Sequence, residues 1–97
     1  MKLKEDEIAS GSVDNTIKIW KKKDNQFKLV QTITGHSNDV NTLMKLNEDE
    51  IASGSEDKTI KIWKKKDDQF KLVQTITGHS NSVYSLIKLK EDEIASG

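Results

Sequence analysis

Apolar and polar residues alternate along most of the chain with a period of two, not the 3.6 of an amphipathic helix. The pattern is plainest in "TIKIW" (16–20 and 59–63), "KLVQTI" (28–33 and 71–76), "VNTLMKL" (40–46) with "VYSLIKL" (83–89), and the short "EIASGS" (7–12 and 50–55). Runs of this kind predict short β-strands. Between them, "SVDN" and "SEDK" read as tight hairpin turns, because Asp and Asn tolerate turn geometry, while "KKKDNQFK" and "LNEDEI" read as longer polar connections. Both alternating sets contain apolar members: Ile17 and Ile19 on one face of a strand, Trp20 with Thr16 on the other. A sheet of such strands needs cover on both sides.

The same pattern returns every 43 residues. Residues 1–43 laid on 44–86 differ only at Lys4/Asn47, Val13/Glu56, Asn15/Lys58, Asn25/Asp68, Asp39/Ser82, Asn41/Tyr84 and Thr42/Ser85, and residues 87–97 begin a third copy. Each full copy supplies four strands. A period in this range indicates a solenoid or a propeller, whose units cannot bury their faces alone. The segment "KLKEDEIASG" occupies 2–11 and returns unchanged as 88–97.

Composition then narrows the possibilities. With 97 residues, of which 33% are hydrophobic, the chain has a marginal core of its own and is expected to need partners. Absence of cysteine removes disulfides and thiolate metal sites. No apolar run approaches the roughly 20 residues of a membrane span, and the N-terminal "MKLKEDEIASG" has no apolar stretch like that of a secretory signal. The expectation is a soluble, cytoplasmic protein. Every basic residue is lysine and the net charge is zero, which argues against nucleic-acid binding, where arginine is the usual bidentate reader. The "KKK" runs (21–23, 64–66) read as solvated loops beside the acidic "EDE" segments.

The spaced features "GH" (35–36, 78–79), "IASGSVD" and "IASGSED", and "TIKIW" resemble the WD40 repeat β-propellers over the whole chain. The resemblance implies an all-β fold of four-stranded antiparallel blades around a channel, with no cofactor. It also implies a hydrogen-bonded tetrad at His36, Ser53, Asp57 and Trp63. Ser10, Asp14 and Trp20 match three positions of a second tetrad whose histidine is absent upstream, and His79 and Ser96 match two of a third. The sequence departs from the family pattern where the aspartate that usually follows the tryptophan is Lys21 or Lys64, and where the first hairpin turn, often proline-containing, is "NEDE" or "KEDE".

Serine, histidine and aspartate together also suit nucleophilic catalysis. Their repetition once per blade favours a structural role, since an active site has no reason to recur. A metal site is weaker still, because His36 and His79 fall in different blades and zinc takes three or four protein ligands.

Two blade equivalents per chain fall short of the 4–8 blades of a closed propeller. The resemblance therefore implies a homo-oligomer, a tetramer of eight blades first and a trimer of six second, or else an excised or engineered piece of a longer array. Strand order reads b, c, d, then a, b, c, d, then a, b, so joining tail to head between chains makes a composite blade. In that blade residues 93–97 and the next chain's 7–12 compete for one strand position. Family members usually bind partners on the top face, which carries over to Val13 and Glu56, Asp39 and Ser82, and Asn41 and Tyr84. All six lie among the positions where the copies differ. The reading at this stage is a non-enzymatic scaffold that self-assembles and offers that face to a protein or peptide.

Overall fold

The structure is a computed structural model and describes residues 1–4, 6–78, 86–90 and 93–96, with the side chains of 86–90, 93 and 95 outside the description. Ten strands follow in order: β1 (Lys2–Lys4), β2 (Glu7–Gly11), β3 (Thr16–Lys23), β4 (Gln26–Thr34), β5 (Val40–Asn47), β6 (Glu50–Ser55), β7 (Thr59–Lys66), β8 (Gln69–Thr77), β9 (Leu86–Lys90) and β10 (Glu93–Ser96). They form two four-stranded sheets, β1-β2-β3-β4 and β5-β6-β7-β8, and a two-stranded sheet of β9 and β10, with antiparallel pairing throughout.

The tight turns form where the sequence placed them. Asn15 N–H donates to the Ser12 carbonyl and Lys58 N–H to that of Ser55, each at 3.2 Å. Both Asn15 and Lys58 have φ 71°, in the left-handed region that Asn tolerates better than Lys.

The lysine runs are not loops. β3 and β7 continue through Lys23 and Lys66, and the connections expected at "KKKDNQFK" and its repeat shrink to Asp24–Asn25 and Asp67–Asp68. All four of these residues have positive φ, the backbone of a two-residue type I′ hairpin. The lysines stay in the strand because β4 and β8 continue opposite them, with Lys22 against Phe27 and Lys65 against Phe70. The connection expected at "LNEDEI" is likewise short: β5 ends at Asn47, β6 begins at Glu50, and Asp49 N–H donates to Asn47 Oδ1 at 3.0 Å.

A second difference lies at the N-terminus. The first sheet is not wholly without its innermost strand, because Lys2–Lys4 pair with β2, and Met1 exchanges two backbone hydrogen bonds of 2.7 Å with Ala9. A cavity of about 330 Å³ lies beside Met1, bordered by Ala9, Ser10 and Gly11 on one side and Val40 to Leu43 on the other.

The main core lies between the two four-stranded sheets. Leu3, Ala9, Ile17, Ile19 and Ile33 of the first pack against Val40, Ile51, Trp63 and Phe70 of the second. The opposite face of the second sheet carries Ala52, Ile60 and Ile62, with Ile94 of the C-terminal hairpin packed against them. Backbones approach closely between the sheets: a Cβ on Gly11 would lie 2.7 Å from Val40 Cγ1. Polar contacts join them as well. Gln31 clasps the Phe70 backbone, donating from Nε2 to its carbonyl at 2.9 Å and accepting its N–H at 2.8 Å, and Lys65 Nζ bridges both carboxylate oxygens of Glu7 at 2.9 and 3.1 Å.

Candidate functional site

The segment between β4 and β5 brings His36 over the second sheet, where the hairpin β6–β7 presents Ser53, Asp57 and Trp63. His36 Nδ1 lies 2.9 Å from Asp57 Oδ2, and Nε2 lies 2.6 Å from Ser53 Oγ. Trp63 Nε1 donates to the same Ser53 oxygen at 2.8 Å. One arrangement of protons satisfies the set: Nδ1–H donates to the carboxylate, the Ser53 hydroxyl donates to Nε2, and the indole donates to Ser53 Oγ. The imidazole is neutral in that arrangement. Its ring meets the indole edge to face, with centroids 6.3 Å apart and planes at 63°.

The aspartate is the hub, and two of its partners escaped the sequence reading. Thr59 donates to Asp57 Oδ1 through both its N–H and its hydroxyl, and the Ser37 N–H donates to Oδ2 at 3.0 Å. Ser55, fully buried, accepts the Asp57 N–H at 3.0 Å and donates to the Asp39 carbonyl at 2.7 Å. A threonine two residues after a turn aspartate was the available signal for the first contact, because Asp side chains bond the backbone two residues on. Gly35 is needed for fit: a Cβ there would sit 2.7 Å from the Trp63 ring.

These bonds shift the titrations. Burial raises the Asp57 carboxyl, but donors from Thr59, His36 and Ser37 outweigh it and hold the pKa down to about 2. Burial lowers the His36 pKa, and the nearby Asp57 carboxylate only partly offsets it. The unfolded chain thus binds more protons than the fold, first at His36 below its ordinary value of about 6.5 and then at Asp57 between about 4 and 2. Stability is expected to fall on acidification through both windows. Melting temperatures at pH 7.5, 5.5 and 3 check this, and Asp57→Asn should flatten the decline in the lower window.

Ser53, His36 and Asp57 reproduce the hydrogen-bond chain of a nucleophilic triad, yet nothing can reach the serine. Ser53 is fully buried and its oxygen already accepts the indole N–H. Nucleophilic attack requires an approachable oxygen beside a site for the substrate. Here the chain of bonds fixes the connecting segment to the blade. Among the described residues no cluster of three His, Cys, Asp or Glu side chains suits a metal ion.

The first sheet holds the partial counterpart. Trp20 Nε1 donates to Ser10 Oγ at 3.0 Å, and Thr16 N–H donates to Asp14 Oδ1 at 3.1 Å. Among the described residues no histidine caps this set: the Asp14 side chain is 53% exposed against 8% for Asp57, with Lys18 at 3.6 Å in place of an imidazole. The hydrogen bond from Thr16 holds the Asp14 pKa below its ordinary value. His79 lies outside the described residues, so of the third expected set only Ser96, in β10, is placed. On the expected top face Val13 is 81% exposed, Asn41 is exposed and Asp39 and Glu56 are half-buried, while Ser82 and Tyr84 lie outside the described residues.

Four-stranded sheets packed face to face and pinned by a His–Ser–Trp–Asp network define a blade-built repeat protein. The family pattern for the WD domain, G-beta repeat (WD40) matches residues 4–21 and 27–64, and the chain belongs to that family. A search of curated protein sequences gives no match. Among solved structures, the WD40 beta propeller domain of Doa1 is similar at 29% identity and a TM-score of 0.76, covering 96% of this chain and 30% of that one. The structure of U3-55K is similar at 29% identity and a TM-score of 0.69, covering 84% of this chain and 24% of that one. The chain thus spans less than a third of either.

Proposed function

We propose that the chain is a non-enzymatic scaffold that completes a WD40 propeller with further copies of itself and offers its top face to a protein or peptide. WD40 propellers in general mediate protein–protein interaction and are non-catalytic. The observation that carries the self-association reading is a difference between two residues in one sequence context. Phe70 is 5% exposed, packed under the first sheet, while its counterpart Phe27 is 44% exposed. Trp20 and Ile8 are likewise half-buried where Trp63 and Ile51 are buried. This open face of the first sheet has the same composition as the face the second sheet docks into its neighbour, so a second copy can repeat the contact.

The cavity between Ala9–Gly11 and Val40–Leu43 supports the same reading, since strand a of another copy can enter it beside β2. Eight blades from four chains is the expected closure, with six from three chains as the alternative ring. Native mass spectrometry reads the number directly, and a folded species of one chain at micromolar concentration overturns self-association. The short coverage of both similar structures favours a second reading, in which the chain is a piece of a longer propeller and other repeats cover the same face. That reading requires one chain per particle.

A further inference from the structure

Resting on the self-association reading, we infer that a buried ion pair between Glu50 of one chain and Lys22 of the next sets the register of the intermolecular interface, assisted by Gln74 clasping the Phe27 backbone. The two contacts already seen within the chain supply the template. Glu7 and Lys65 meet across the intramolecular interface with side chains 5% and 11% exposed, and the ammonium also lies 5.9 Å from the centre of the Phe70 ring. Burial alone would lower the Lys65 pKa, but the Glu7 carboxylate raises it above its ordinary value, as expected of a pair formed to stay charged.

Each member has an identical counterpart 43 residues away on a face that lacks its mate. Glu50 stands at the Glu7 position, paired across β6 and β7 with Lys64 as Glu7 is with Lys21. Lys22 stands at the Lys65 position, opposite Phe27 as Lys65 is opposite Phe70. Gln74 stands at the Gln31 position and is exposed. Among the described residues, the Lys22 and Gln74 side chains make no hydrogen bond, and Glu50 accepts only from Asn47 Nδ2, at 2.6 Å.

The position of these residues matters as much as their identity. Lys22, Phe27 and Gln74 lie on β3, β4 and β8, outside the ten-residue segment repeated at 2–11 and 88–97. The pair therefore forms whichever copy of that segment fills the inner strands of the composite blade. An apolar face alone tolerates sliding along the strands, whereas one buried charge pair does not, because an unmatched charge in the interface is strongly unfavourable.

The test uses the full-length chain in four forms: wild type, Glu50→Lys, Lys22→Glu, and the double variant carrying both. Either single change leaves the intramolecular Glu7–Lys65 pair intact but opposes like charges between chains. Each is expected to raise the concentration of half-assembly by about a hundredfold. The double variant restores opposite charges at every junction, in a ring of any size, and is expected to return to within about threefold of wild type. The readout is sedimentation velocity over a dilution series, with circular dichroism confirming the fold of each form. Single variants that assemble like wild type, or a folded double variant that stays as dissociated as either single, overturn the pairing while self-association stands. A wild type that remains monomeric overturns both.

Discussion

Replacing Trp63 with alanine is expected to lower the unfolding free energy by about 3–5 kcal/mol, the usual range for deleting a large aromatic side chain from a core. Trp63 is 3% exposed, lies against the Gly35 backbone and the His36 ring, and donates its indole N–H to Ser53. Its loss opens a cavity between the sheets and leaves the buried Ser53 hydroxyl oxygen short of a donor. Trp20→Ala is the matched comparison. It removes the same side chain and the same bond to serine from a half-buried site, so in an isolated chain it should cost less than half as much. In a closed ring Trp20 is covered as Trp63 is, and the two substitutions should converge. Denaturant unfolding of both variants above and below the assembly concentration measures the gap, and a gap that stays constant on dilution would contradict coverage of Trp20 by a neighbour.

Deleting residues 1–11 should be more damaging than deleting residues 88–97. It removes β1 and β2 together, and with them Leu3, Ala9 and Glu7 from the interface between the sheets. Truncating a buried leucine alone costs about 2–5 kcal/mol, a large share of the marginal stability of any domain this size. Removing 88–97 takes away β10, part of β9 and the packing of Ile94 against the second cluster, and leaves the core between the two four-stranded sheets in place, so its effect on a lone chain should be smaller. Either truncation retains one copy of the shared segment and should still assemble. On the self-association reading, removing both would leave each composite blade without its second strand and its neighbours' backbone groups unpaired, which should abolish assembly. Size-exclusion chromatography with thermal melts ranks the three, and a double truncation that assembles like the full chain would exclude that segment from the blades.

How far the sequence could be read follows from what each feature depends on. Alternation and repetition are local, so the strand count of each copy and the sites of the "SVDN" and "SEDK" turns were legible directly. Strand ends were not. Lys21 to Lys23 carry no apolar alternation, and they remain extended because β4 lies opposite them, a tertiary cause that composition does not encode. The paired left-handed residues Asp24 and Asn25 held the clue to that short turn. The tetrad was legible only through family resemblance, since Ser53, Asp57 and Trp63 come together across a hairpin and His36 reaches them from the preceding connection. The Gln31–Phe70 and Glu7–Lys65 contacts join residues 39 and 58 positions apart, and no spacing rule links them.

The outer strands carry one more consequence. β4 and β8 are the longest strands among the described residues, identical in sequence, and lie at the edges of their sheets with Leu29, Val30, Leu72 and Val73 about half exposed. A flat edge of that composition is a template for cross-β aggregation, and the two near-identical repeats of this chain display it twice. The pairing skips one residue in each strand: Gln31 and Leu29 face consecutive residues of β3, leaving Val30 without an opposite number, and Val73 is skipped in the same way between Gln74 and Leu72. Such a bulge bends and twists the strand locally. An approaching copy of the same strand cannot lie along the bent edge in unbroken register, so the irregularity at Val30 and Val73 is expected to work against fibre formation along these outer edges.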